Sequence, residues 1–132
     1  MIGIEHIGIA VKQLEISIAL FEKLLATNCY KTEEVASEQV KTAFFKTGET
    51  KIELLESTNP DGVIANFISK KGEGMHHIAF EVKDIVTEME RLRNEGFQLL
   101  QEKPKLGADN KLVCFLHPKT TNGILIELCQ SI

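Results

Sequence analysis

Four residues of this chain have the types and the spacing to hold a metal ion. His6 opens the run His-Ile-Gly-Ile-Ala-Val at 6–11, and His77 opens His-Ile-Ala-Phe-Glu-Val at 77–82, 71 residues later. Glu53 lies inside Lys51-Ile52-Glu53-Leu54-Leu55, and Glu127 inside Leu125-Ile126-Glu127-Leu128-Cys129, 74 residues later. Two imidazoles and two carboxylates suit a divalent transition ion of the Zn, Co, Ni, Mn or Fe type. With four protein ligands, a six-coordinate ion keeps two positions for water or substrate. A single His at the head of a strand is usually structural, and a single Glu among Ile and Leu usually faces solvent. The argument for ligation is that the same pair occurs twice in corresponding places. His76 should point away from the face of His77, and His117, before Pro118, reads as a turn residue.

The elements around these residues repeat as well. Residues 6–11 and 77–82 alternate as strands do: Ile7, Ile9 and Val11 oppose His6, Gly8 and Ala10, while Ile78, Phe80 and Val82 oppose His77, Ala79 and Glu81. Leu14, Ile18, Phe21 and Leu25 recur at helical spacing, matched by Ile85, Met89 and Leu92 with Gly96 in the fourth place. The spacing predicts helices over 13–26 and 84–95, the second capped by Gly96. Strands Val40–Thr47 and Lys51–Glu56 flank a Gly48-Glu49-Thr50 turn, and Lys111–His117 and Ile124–Gln130 flank a turn three residues longer. Asn59-Pro60-Asp61-Gly62 and Lys70-Lys71-Gly72-Glu73-Gly74 bracket a short helix near Val63–Ser69.

The expected fold is α+β, with two tandem β-α-β-β-β modules at 1–56 and 76–132 joined by a 57–75 linker. Neither copy alone buries much core, so 1–132 reads as one domain, a curved mixed sheet around a cavity where the two halves' ligands meet. The length of 132 residues leaves no room for two ordinary domains. Fifteen Lys and Arg against 19 Asp and Glu give a net charge of −4, which argues against a general nucleic-acid binder. No apolar run approaches the ~18 residues of a membrane span. The opening MIGIEHIGIAV has no basic region or cleavage site of a secretory leader. Cys29, Cys114 and Cys129 are odd in number and form no Cys-x-x-Cys, which fits a reducing cytoplasm.

Four segments carry a family resemblance: Glu5-His6-Ile7-Gly8-Ile9-Ala10-Val11; Gly48-Glu49-Thr50-Lys51-Ile52-Glu53-Leu54-Leu55-Glu56; Gly74-Met75-His76-His77-Ile78-Ala79-Phe80-Glu81-Val82; and Phe115 through Leu128, with His117-Pro118-Lys119 ahead of the Glu-bearing strand. Over essentially its whole length the chain resembles the glyoxalase or vicinal-oxygen-chelate superfamily, and within it the methylmalonyl-CoA epimerases. The resemblance implies that His6, Glu53, His77 and Glu127 ligate one divalent ion of the Co, Zn, Ni or Mn type. The family's catalytic glutamate lies within Glu-x-Gly-Val, before the Val that begins the second strand. Here the segment is Ser37-Glu38-Gln39-Val40, without the Gly, and the match points to Glu38, with Glu33 and Glu34 nearby.

The implied reaction is a 1,1-proton transfer at C2 of a CoA thioester. Removing that proton gives an enolate, which a divalent ion chelated by thioester and carboxylate oxygens stabilises. Inversion needs a base on one face and an acid on the other; Glu38 is assigned one role and Glu127, also a ligand, the other. The anionic CoA requires local basic groups on an acidic protein; Lys111 and Lys119 lie in the last hairpin, although surface lysines are usually only solubilising. The family also implies a homodimer, as do sheet edges that need covering. Three other readings belong to the same superfamily. Glyoxalase I shares the kind of ligand set, ring-cleaving dioxygenases use two His and one Glu in longer chains, and metal-free binding proteins rely on aromatic stacking. The fourth ligand at Glu53 argues against the dioxygenases. The intact ligands, absence of Trp and single Tyr30 argue against the binding proteins.

Overall fold

The computed structural model describes residues 1–132. Its strands and helices follow the order β1 (Gly3–Ala10), α1 (Leu14–Leu25), β2 (Lys31–Val35), β3 (Val40–Thr47), β4 (Thr50–Ser57), α2 (Val63–Lys71), β5 (Gly74–Glu81), α3 (Ile85–Asn94), β6 (Lys105–Gly107), β7 (Lys111–Leu116) and β8 (Ile126–Ser131). This is β-α-β-β-β twice, with α2 in the connection. Two compact units emerge, His6–His76 and Met1–Glu5 with His77–Ile132. None of the helices is long and apolar enough to cross a membrane.

In the first unit the strand order is β2-β3-β4-β1, with β1 parallel to β4 and the other pairs antiparallel. Strand alternation gives the sheet two faces. On one, Val11, Ala43, Phe45 and Leu54 pack against Leu14 of α1, joined by Ile18, Phe21 and Leu25. That helical stripe is the one the spacing predicts. On the other face, Ala10, Val40 and Leu55 pack against Ile64, Phe67 and Ile68 of α2. The second unit repeats the plan in the order β5-β8-β7-β6, with β5 parallel to β8. There Ile85, Met89 and Leu92 of α3 pack on Val82, Cys114, Leu116 and Leu128. Burial pushes the Cys114 thiol above its ordinary pKa, and all three cysteines are free thiols.

α1 and α3 each begin under a side chain from the last strand of their own module. The Leu14 N–H donates to Glu56 Oε1 at 2.6 Å, and the Ile85 N–H donates to Gln130 Oε1 at 2.8 Å. Gln13, the residue preceding α1, makes no side-chain cap, so Glu56 satisfies one of the donors that a helix start leaves open. At the far end of α3, Gly96 takes φ 96° while the Phe97 N–H donates to Leu92 C=O and the Gly96 N–H to Arg93 C=O. These two bonds make a Schellman ending, with the glycine one residue past the C-cap Glu95.

The strands that the sequence pattern did not locate are β2 and β6. β2 reads Lys-Thr-Glu-Glu-Val and β6 is three residues long; both are sheet edges, where half the backbone faces solvent and apolar alternation is not required. Two boundaries also move. Ile124 and Leu125 belong to the second turn, since β8 starts at Ile126, and His117 lies past β7 and caps the Pro118–Thr120 turn by accepting the Lys119 N–H on Nδ1.

The borrowed caps give a stability test. Replacing Glu56 by Ala should cost about 1–2 kcal/mol and replacing Gln130 by Ala about 1 kcal/mol, the charged acceptor being the stronger at a helix N-terminus. Urea unfolding midpoints measure both; unchanged midpoints would show that the caps contribute nothing.

Candidate metal-binding site

In the first unit, parallel pairing sets His6 opposite Lys51 and Gly8 opposite Glu53. His6 and Glu53 are therefore diagonal neighbours on one face, with only the hydrogen of Gly8 beside them. His6 Nε2 lies 3.3 Å from Glu53 Oε1, and both side chains are buried. The second unit builds the same pair. Ala79 stands opposite Glu127, and His77 Nε2 lies 3.2 Å from Glu127 Oε1, again with both buried. Phe115 meets the His77 ring edge-on at 6.0 Å between centroids and is the cross-strand neighbour of Glu127, as Phe44 is of Glu53.

Burying a carboxylate is costly unless it is paired, so each glutamate needs its imidazole or a cation. The spacing fits either. Two ligand atoms about 2.1 Å from one ion and at right angles to each other stand about 3.0 Å apart. At the tetrahedral angle the separation is about 3.4 Å; the pairs, at 3.3 and 3.2 Å, lie between the two values and present Nε2, a common ligating nitrogen. The donor set of each unit thus fits a divalent ion.

Glu38 ends a short 3-10 turn, Ala36–Glu38, between β2 and β3, and is half-buried. The next residue, Gln39, adopts φ 56° and ψ 45°, the left-handed conformation that glycine favours. Its N–H donates to Ala36 C=O and its C=O accepts the Thr58 N–H. Gln39 therefore holds, as a non-glycine residue, a turn conformation that glycine adopts without strain. The β2–β3 register also separates the neighbouring acids. Glu33 stands opposite Thr42 and shares the face of Phe44 and Glu53, whereas Glu34 stands opposite Lys41 on the face of α1. Sequence spacing alone carried no signal for this, because β2 has no apolar alternation to show its faces. His76 meets Phe67 edge-on at 4.8 Å between ring centroids, packed against α2.

The family model described as the Glyoxalase/Bleomycin resistance protein/Dioxygenase superfamily matches residues 5–115. The chain belongs to this superfamily. An ethylmalonyl-CoA/methylmalonyl-CoA epimerase of Cereibacter sphaeroides is 39% identical over 133 residues, covering 98% of this chain and 99% of the relative. An uncharacterized protein of Bacillus subtilis, YqjC, is 36% identical over 127 residues, covering 96% of this chain and 91% of the relative. Among solved structures, a Streptomyces coelicolor methylmalonyl-CoA epimerase variant in complex with 2-nitronate-propionyl-CoA superposes with a TM-score of 0.95 at 31% identity, over 99% of this chain and 95% of that one. Both of these relatives of stated activity are epimerases, and the paired β-α-β-β-β architecture is the fold of this superfamily.

The strained turn beside Glu38 can be tested directly. A left-handed non-glycine residue costs about 1–2 kcal/mol, and glycine loses about 0.5–1 kcal/mol through the unfolded chain. Gln39→Gly should therefore raise stability by about 0.5–1 kcal/mol, read as a higher melting temperature; a fall would mean that the Gln39 side chain contributes more than its backbone costs.

Proposed function

We propose that this chain interconverts the (R) and (S) forms of methylmalonyl-CoA by moving a proton on and off C2. The observation that carries the reading is the His–Glu pair built twice and buried at ligand spacing in each unit. Its support is a set of relatives, matched over nearly the full chain, that are epimerases of this ester. The reading takes 1–132 as one domain in which His6, Glu53, His77 and Glu127 hold one divalent ion of the Co, Zn, Ni or Mn type. A bound ion would supply Lewis-acid stabilisation for the negative charge that develops on the thioester oxygen as the C2 proton leaves.

The chain's own carboxylates handle the proton. Glu38 takes it from one face of C2, and Glu127, a ligand as well, delivers one to the other face. A positioned carboxylate contributes about 10²–10⁴-fold in such a step. Because a protonated carboxyl exchanges with water, turnover carries solvent hydrogen into C2. Glu33 competes with Glu38 for the first role, since its strand position puts it on the face of Glu53. The expected partner besides the CoA thioester is a second copy of the chain, supported by the exposed Ile16, Leu20 and Leu24, one apolar row along α1. The expected compartment is the cytoplasm, supported by three free thiols.

Glu38→Gln should keep its metal and melting temperature and lose about 10²–10⁴-fold in epimerisation. Activity retained in Glu38→Gln and lost in Glu33→Gln would move the role to Glu33. In D₂O the wild-type enzyme should wash deuterium into C2 and leave the glutathione–methylglyoxal hemithioacetal unchanged. Turnover of that adduct without C2 exchange would replace this reading with glyoxalase I.

The ligand assignment has its own test. The wild-type chain should retain one ion and melt lower after chelation, because an ion bound only by the folded state stabilises it by mass action. The double variant His6→Ala, His77→Ala should retain no stoichiometric metal and show no chelator shift. One ion per chain kept by that variant would end the assignment.

A further inference from the structure

The two units match at the His–Glu pairs but differ beside them. In the first unit the face of His6 and Glu53 continues along two cross-strand rows. One runs from His6 to Lys51 on β4 and Lys46 on β3; the other runs from Gly8 through Glu53 and Phe44 to Lys31 on β2. Directly opposed residues share a face of the sheet. Three lysines therefore stand on the same side as the His6–Glu53 pair. Tyr30, which precedes β2, is 41% exposed; its N–H donates to Phe44 C=O at 3.0 Å, and its ring centroid lies 6.2 Å from that of Phe44. Lys46 Nζ stands 4.9 Å from the centre of the Tyr30 ring. Lys31 Nζ stands 5.9 Å from that of Phe44 and 3.4 Å from Glu33 Oε1.

The second unit has the same backbone and different chemistry. The Leu100 N–H donates to Phe115 C=O at 2.8 Å as the Tyr30 N–H does to Phe44 C=O, so Leu100 corresponds to Tyr30 and Gln101 to Lys31. Gln101 turns its side chain to the backbone, where Oε1 accepts the Phe115 N–H at 2.8 Å. At the repeat offsets, His117 corresponds to Lys46 and Leu125 to Lys51. The exposed ring and the three lysines thus have no equivalent in the second copy, although the ligand pair does.

We propose that Tyr30 and Lys46 form the subsite for the nucleotide end of the CoA thioester, and that this subsite exists on the first unit alone. The proposal rests on the CoA-ester reading above. An exposed aromatic ring offers a stacking surface to a purine, and lysine ammonium groups are point-charge ligands for phosphates. Lys46 lies two strands from His6, about 10 Å across the sheet, a separation for the pantetheine arm to bridge. A chain of net charge −4 repels a polyanion at long range, and the three lysines on this face of the first unit offset this locally.

The test measures binding of CoA and of adenosine 3′,5′-bisphosphate by calorimetry, with turnover assayed separately. Lys46→Glu should weaken CoA about tenfold or more and reduce the salt sensitivity of binding. Tyr30→Leu, which installs the residue type found at Leu100, should weaken CoA and the bisphosphate alike. Lys119→Glu makes the same charge change on the second unit and should leave CoA affinity unchanged. Lys46 and Tyr30 are exposed, so melting temperatures should stay at the wild-type value. Wild-type CoA affinity in both Lys46→Glu and Tyr30→Leu would overturn the proposal, as would equal weakening by Lys119→Glu. The function reading fails separately: wild-type protein that binds CoA through Tyr30 and Lys46 but exchanges no hydrogen at C2 would keep the subsite and discard the epimerase.

Discussion

Parallel pairing between the first and last strands of a module sets what each face of its sheet presents. β1 beside β4 and β5 beside β8 bring Gly8 opposite Glu53 and Ala79 opposite Glu127, so that a histidine two residues back meets the glutamate diagonally. A slip of one residue would send both glutamates to the helical side of the sheet. The same register puts the residue three places beyond each glutamate on that helical side. There Glu56 and Gln130 receive the first N–H groups of α1 and α3. One strand thus serves the His–Glu pair with one face and the helix start with the other.

Small residues matter here as much as polar ones. Gly8 and Ala79 are the strand neighbours of the glutamates, and a bulky side chain at either place would stand where the imidazole reaches its carboxylate. Phe44 and Phe115 close the other flank of each glutamate with apolar rings. That environment strengthens electrostatic interaction within the pair and leaves each carboxylate dependent on it.

The sequence was most legible where a physical requirement acts twice. The His–Glu pairs, both long helices, the Gly96 ending and three strands of each module follow from apolar alternation and the repeat offset, because a buried face must recur in register to be covered. The edge strands β2 and β6 escape such reading; Lys31–Val35 alternates no apolar residues because solvent covers much of it. That gap hid the sorting of Glu33 from Glu34, and it left Glu38 to be placed by a motif whose glycine is missing. At Gln39 the turn is held by a residue whose type gives no sign of its left-handed conformation. The lysine and tyrosine cluster escaped for a different reason: Tyr30 and Lys31 precede or open β2, and their neighbours on β3 and β4 are distant in sequence.

The first strand of the chain is also divided between the units: Gly3–Glu5 count with the second and His6–Ala10 with the first. Beyond it, the Ile2 N–H bonds to Glu81 C=O. During synthesis the partner strand of His6–Ala10 is complete once residue 57 has emerged, whereas the tip waits for a segment that starts at 74 and closes on a strand ending at 131. Long-range pairings of this kind are slow to close. The approach to this strand is therefore held by a bond 79 residues away in sequence, Ile2 to Glu81, and its tail by pairs 45 residues away, beginning with His6 and Lys51, so a single strand is assembled in two steps.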